Sequence, residues 1–138
     1  MNIKEIRKSL GLSQNKFARK FHIILQNVKS WEQNVSQPLE CVVYMINKIL
    51  EQEKTIEELK IRSNSCYENM HSFNNMGIKE LRDFTGLSQS KFADKFCIPI
   101  SSIQDWEQGR HKPYGFVLYM IQTILENEEI IKEFGKKL

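Results

Sequence analysis

The sequence predicts an all-α fold made of two consecutive copies of one small helical unit. Residues 3–58 align with residues 78–133 at a constant shift of 75 without a gap, and about half of the aligned positions are identical. Apolar residues recur at three- and four-residue spacing in both copies, the period of a helix with one buried face. Gly, Ser and Pro fall between those stretches, where helices start and stop. A period this long is a domain duplication rather than a solenoid array, whose units run about 20–50 residues. The expected division is residues 1–59 for the first unit, 60–77 for a linker and 78–138 for the second, each unit with four to five short helices.

Each helix of the unit has its own signal. Ile3, Ile6 and Leu10 stand at helical spacing and stop at Gly11, a residue suited to the left-handed position that ends a helix. Ser13 is placed to cap the free N–H groups of a second helix over residues 14–21, whose apolar face is Phe17, Ala18 and Phe21. A third helix is expected over 26–33 with Val28 and Trp31 inward. In the second unit Pro99 stands at the entrance of that helix, where a missing N–H is harmless. A longer amphipathic helix follows over 38–50 and 113–125, with the stripe Val42, Met45, Ile46, Ile49 and Leu50. Ala18 and Ala93 are small enough to let the second and third helices cross closely over a tight turn, the spacing of a helix-turn-helix. The stretch between the units is rich in Ser and Asn, yet Tyr67, Met70 and Phe73 keep helical spacing, so part of it is expected to dock.

The pattern Leu-Ser-Gln-x-x-Phe-Ala-x-x-Phe begins at Leu12 and at Leu87, and Trp-Glu-x-Gly-x-x-x-Pro begins at Trp106, with Asn34 replacing the glycine in the first copy. Both units therefore resemble the Cro/repressor type of helix-turn-helix domain, the xenobiotic-response-element-like family. The resemblance implies that the third helix lies in the DNA major groove while the start of the second helix and the loop after the third grip phosphates. It also implies an internal salt bridge joining Arg7 to Glu32, and Arg82 to Glu107. Two departures stand out. The turn position often held by glycine is His22 or Cys97, and Gly109-Arg110-His111-Lys112 is Asn34-Val35-Ser36-Gln37 in the first unit.

The chemistry expected of these residues is specific. The start of a helix carries unpaired N–H groups and partial positive charge, which suits a phosphate at Ser13, Gln14 and Lys16, and at Ser88, Gln89 and Lys91, with Arg110 and Lys112 extending the grip. Such contacts fix register without reading bases. Reading falls to Leu25, Gln26, Asn27, Lys29 and Ser30 in the first unit and to Ile100, Ser101, Ser102, Gln104 and Asp105 in the second. Gln or Asn bonds adenine, Lys reaches guanine, Asp accepts from cytosine, and Leu or Ile packs on a thymine methyl group. The two sets of readers differ almost completely while the core positions repeat, so an asymmetric target is expected.

Bulk properties bound the function. The net charge of +3 is modest, but residues 3–50 carry +5 and residues 78–125 only +1, with acid collected after each unit at Glu51, Glu53, Glu57 and Glu58 and at Glu126, Glu128, Glu129 and Glu133. The first unit is thus the stronger expected contributor to binding a polyanion. Units of about 55 residues are marginal as independent cores and should lean on each other or on a partner. The three cysteines, Cys41, Cys66 and Cys97, form no Cys-x-x-Cys pair and read as reduced, which with the lack of a membrane span or an apolar secretion signal leads to a cytoplasmic expectation. His22, His71 and His111 have no metal-ligand spacing, and no phosphate loop or nucleophile motif is present, so neither an enzyme nor a metal or other cofactor is expected. The expected partner is double-stranded DNA, with a protein partner also possible. The rival is a helix-turn-helix scaffold that binds protein, as an inhibitor or antitoxin. The stripe Ile46, Ile49, Glu53 and Ile56, echoed by Ile121, Ile124, Glu128 and Ile131, suits either a homodimer seam or the packing of one unit on the other.

Overall fold

The computed structural model describes residues 2–63 and 73–137. Among them the chain is all-α, with α1 (Ile3–Ser9), α2 (Gln14–Lys20), α3 (Leu25–Glu32) and α4 (Glu40–Ser63) followed by α5 (Ile78–Thr85), α6 (Gln89–Phe96), α7 (Ile100–Glu107) and α8 (Gly115–Lys137). Each half therefore has four helices, three short and one long. Ser13 and Ser88 accept hydrogen bonds from the Lys16 and Lys91 N–H groups, each at 3.2 Å, and start α2 and α6. Gly11 and Gly86 take left-handed φ of +66° and +71° after α1 and α5. The start of α1 is held by a reciprocal pair, Asn2 accepting from the Glu5 N–H and Glu5 from the Asn2 N–H.

The fourth helices are longer than their apolar stripe suggested. From Glu51 to Ser63 the sequence is made of Glu, Gln, Lys, Leu and other residues compatible with a helix, without Gly or Pro, so nothing stops α4 at Leu50. Residues 60–63, expected to be linker, are helical. Of the linker residues expected to dock, Tyr67 and Met70 lie outside the described residues. Phe73 is buried, its ring edge-on to Phe84 at 4.8 Å, and its N–H donates to Glu126 Oε1 at 3.0 Å.

The cores of the two halves repeat. Phe17 and Phe21 pack at 4.9 Å, Phe92 and Phe96 at 4.8 Å, and Val28 and Ile103 are fully buried beneath α3 and α7. Ala18 and Ala93 are buried at the crossing, where their carbonyls accept from the Ile23 and Ile98 N–H groups at 2.9 and 3.0 Å and close the turn. His22 and Cys97 both adopt φ of +55° there, the left-handed region that glycine fills at least cost.

The two halves join through α4 and α8 into one continuous core. Leu39 and Val42 line the same depression as Tyr114 and Phe116, while further along Gln52 meets Ile124 and Asn127, so the two helices run side by side in the same direction. Gln52 and Asn127 occupy equivalent positions, 75 residues apart, and bond to each other at 3.2 Å. The seam considered for a homodimer is filled within the chain: Ile46, Ile49, Ile121 and Ile124 are buried in this shared core, and Ile56 is buried as well. Of the two uses open to that stripe, the packing of one unit on the other accounts for these residues. Among the described residues, ring contacts cross the boundary where His22 stacks on Tyr119 at 3.7 Å and Trp31 lies edge-on to Phe116 at 6.2 Å.

Candidate nucleic-acid interface

A single carboxylate organises each group of three short helices. Glu32, near the end of α3, receives Arg7 Nε at 2.6 Å and Nη2 at 3.0 Å from α1, and Gln14 Nε2 at 2.9 Å from α2. Arg7 Nη1 also donates to the Leu12 carbonyl at 2.8 Å. The second half repeats every one of these bonds: Arg82 Nη2 to Glu107 Oε1 at 2.7 Å, Gln89 Nε2 to Glu107 Oε2 at 3.0 Å, and Arg82 Nη1 to the Leu87 carbonyl at 3.1 Å. Hydrogen bonding from Arg7 holds the Glu32 carboxyl below its ordinary range, against the opposing effect of burial, and Glu32 in turn raises the Arg7 guanidinium. The salt bridges implied by the family resemblance are therefore present, and both arginines are committed inward.

The glutamines expected to meet phosphate also bond within the protein. Gln14 and Gln89 stand at the first position of α2 and α6, but each amide points inward to the glutamate. One N–H of each amide is spent on fixing the start of α2 against α3, or of α6 against α7. Ser13 and Ser88 likewise use their oxygens as caps. Lys16, Lys91 and Lys112 are exposed, and no salt bridge engages them among the described residues.

On the third helices, Gln26 and Lys29 project into solvent while Leu25, Asn27 and Ser30 are half-buried. Leu25 packs against the core and Asn27 lines the depression beside Trp31 and Tyr114, so the outward surface of α3 narrows to Gln26 and Lys29. On α7, Ile100 and Ser101 are exposed, and Ser102, Gln104 and Asp105 are half-buried. Asp105 is the marked departure. Its Oδ1 accepts from Arg110 Nε at 2.8 Å, with Nη2 in ion-pair contact at 2.8 Å, and its Oδ2 lies 3.3 Å from His111 Nδ1. Arg110 holds the Asp105 carboxyl below its usual range. The residue expected to read cytosine and the residue expected to grip phosphate are thus bound to each other, because the loop after α7 turns back over the helix end, with the Arg110 N–H on the Asp105 carbonyl at 2.9 Å.

The structure also adds residues that sequence reasoning passed over. Arg19, exposed on α2, lines a shallow depression with Asn15, His22 and Leu25 at the start of α3, and Ile24 is 65% exposed at its mouth. The signal was available in the charge difference between Arg19 and Asp94 at the equivalent position.

Three short helices, with the last presented outward from a tight turn against the second, are followed in each half by a long supporting helix. Residues 78–125 match the model of the helix-turn-helix family HTH_3. This segment is similar to the helix-turn-helix family. The helix-turn-helix match takes in α5, α6, α7 and the first half of α8, including the whole of the Arg82–Glu107–Gln89 cluster. No curated protein and no solved structure matches the chain. No described helix is long and apolar enough to cross a membrane.

Proposed function

We propose that the chain is a sequence-specific binder of double-stranded DNA, a transcriptional repressor of bacterial, phage or mobile-element type, in which a duplicated helix-turn-helix supplies two readers on one chain. The observation that carries this reading is the contrast between support and surface. The Arg–Glu–Gln cluster, the serine cap and the phenylalanine pair recur bond for bond, whereas Gln26, Asn27, Lys29 and Ser30 face Ser101, Ser102, Gln104 and Asp105 at equivalent positions. A scaffold kept while its outward residues change is what two readers of different base sequence require. The exposed Lys16, Lys29, Lys91 and Lys112 supply cationic groups for the backbone.

The reading is tested by replacing Gln26 and Lys29 with Ala. Each bidentate base contact discriminates by about 1–3 kcal/mol, so each single variant should bind the preferred duplex roughly 5- to 150-fold more weakly, with its melting temperature unchanged. Unaltered affinity for that duplex would remove α3 from the interface. A second reading, a protein-binding inhibitor or antitoxin, is supported by the exposed Leu39 and Tyr114, which flank the same depression as Asn27, and by the internal pairing of Asp105 with Arg110.

A further inference from the structure

We propose that Asp105 is a specificity gate of the second reader, holding Arg110 away from phosphate unless a base edge offers Asp105 a replacement donor, the cytosine 4-amino group. The inference rests on the DNA-binding reading and adds to it a mechanism by which one half of the chain rejects wrong sequences.

The guanidinium of Arg110 has five N–H groups. Nε directs one to Asp105 Oδ1 at 2.8 Å, Nη2 stands in ion-pair contact 2.8 Å from the same oxygen, and Nη1 directs one to Gln108 Oε1. The Nε edge of the guanidinium is therefore turned to Asp105 within the protein, and the carboxylate offsets its charge. The other carboxylate oxygen faces His111 Nδ1, and the Arg110 and His111 N–H groups both reach the Asp105 carbonyl, at 2.9 and 3.4 Å. A single residue on the reader helix thus fixes the loop by its side chain and its backbone together. The first half keeps the backbone part, the Val35 and Ser36 N–H groups reaching the Ser30 carbonyl at 2.9 and 3.4 Å, but Ser30, Val35 and Ser36 cannot supply the charged side-chain pairing.

The electrostatic consequence depends on what lies opposite α7. On a duplex with no donor for it, Asp105 either keeps Arg110, whose charge it then offsets before any phosphate, or gives it up and stands as an unpartnered anion beside a polyanion. On a duplex with cytosine in the right place, the exchange is balanced: Asp105 accepts from the cytosine amino group while Arg110 turns to a phosphate. Asp105 therefore subtracts from binding to unrelated sequences more than it subtracts from binding to the preferred one.

The test measures Kd for the preferred duplex and for a scrambled duplex across a range of salt, with the wild-type chain, Asp105→Asn, Arg110→Gln and the double variant. Freed from its partner, Arg110 should add about one phosphate contact to scrambled binding, steepening the log–log salt slope by about 0.9 and tightening binding several-fold. The preference for the cognate duplex should shrink accordingly, and replacing the cytosine should weaken the wild type more than Asp105→Asn. Arg110→Gln alone should leave the scrambled-duplex slope unchanged, and in the double variant it should erase the gain. The proposal is overturned if Asp105→Asn leaves slope and preference as they were, or if Arg110→Gln flattens the scrambled slope in the otherwise wild-type chain, as loss of a free phosphate contact would. Failure of the wild type to bind any duplex would instead overturn the DNA-binding reading beneath it.

Discussion

At the residue scale, Glu32 and Glu107 account for why three short helices hold one arrangement. Seven- and eight-residue helices are too short to be stable alone, so their positions depend on bonds between helices. Glu32 is only 4% exposed in its side chain and takes donors from α1 and α2 at once. Replacing Arg7 with Ala leaves that carboxylate buried without its main partner and should cost about 2–4 kcal/mol, read as a melting temperature lowered by roughly 10 °C. The pH dependence follows from the direction of the shift. With its folded-state affinity for a proton reduced, Glu32 contributes stability above the ordinary carboxylate value of 4.5 and loses it as pH falls through its lower folded value. Melting temperature plotted against pH should therefore fall less steeply in acid for Glu32→Gln than for the wild type, and parallel curves would contradict the assignment. His22 and Cys97 provide a contrast at equivalent, left-handed positions. Cys97→Gly relieves strain and should stabilise by about 0.5–1 kcal/mol, whereas His22→Gly also removes the ring stacked on Tyr119 and should stabilise less or destabilise.

At the element scale, helix starts and crossings were legible in the sequence because each depends on one or two residues in a fixed relation. Ser13, Ser88, Gly11, Gly86 and the pair Ala18 and Ala93 act where the sequence placed them. The end of α4 was not legible, because a helix with a polar surface and no breaker carries no mark where its buried stripe thins out. The direction of the Gln14 and Gln89 amides and the mutual pairing of Asp105 with Arg110 were hidden for a related reason. Residue type names possible partners, but which partner is taken depends on how the loop after α7 folds back. Within the α4–α8 pair, Gln52 is a buried polar side chain serving two others, the Ile124 carbonyl at 3.2 Å and the Asn127 amide. Gln52→Leu should destabilise by about 1–3 kcal/mol by leaving those groups unpaired. Adding Asn127→Leu should recover part of that loss, which a double-mutant cycle in urea would measure, and strict additivity would mean the two side chains are not coupled.

At the scale of the whole molecule, the sequence indicated two units that lean on each other or on a partner, and in the structure parallel α4 and α8 share one core, with equivalent positions in contact across the seam. The sequence left open whether that stripe faced a second chain. Ile46, Ile49, Ile121 and Ile124 are buried within the one chain. Holding both third helices on one covalent frame frees them to differ, since no symmetry operation forces two readers on a single chain to be alike. The central claim is that this frame reads one asymmetric DNA site. Selection of bound duplexes from a random pool, followed by footprinting of the winner with the chain at its monomer mass of 16.3 kDa, tests it most directly. The account predicts a single enriched motif without twofold symmetry, with two differing halves protected by one chain and salt-sensitive affinity. A palindromic motif filled by two chains, or no enrichment at all, would contradict it.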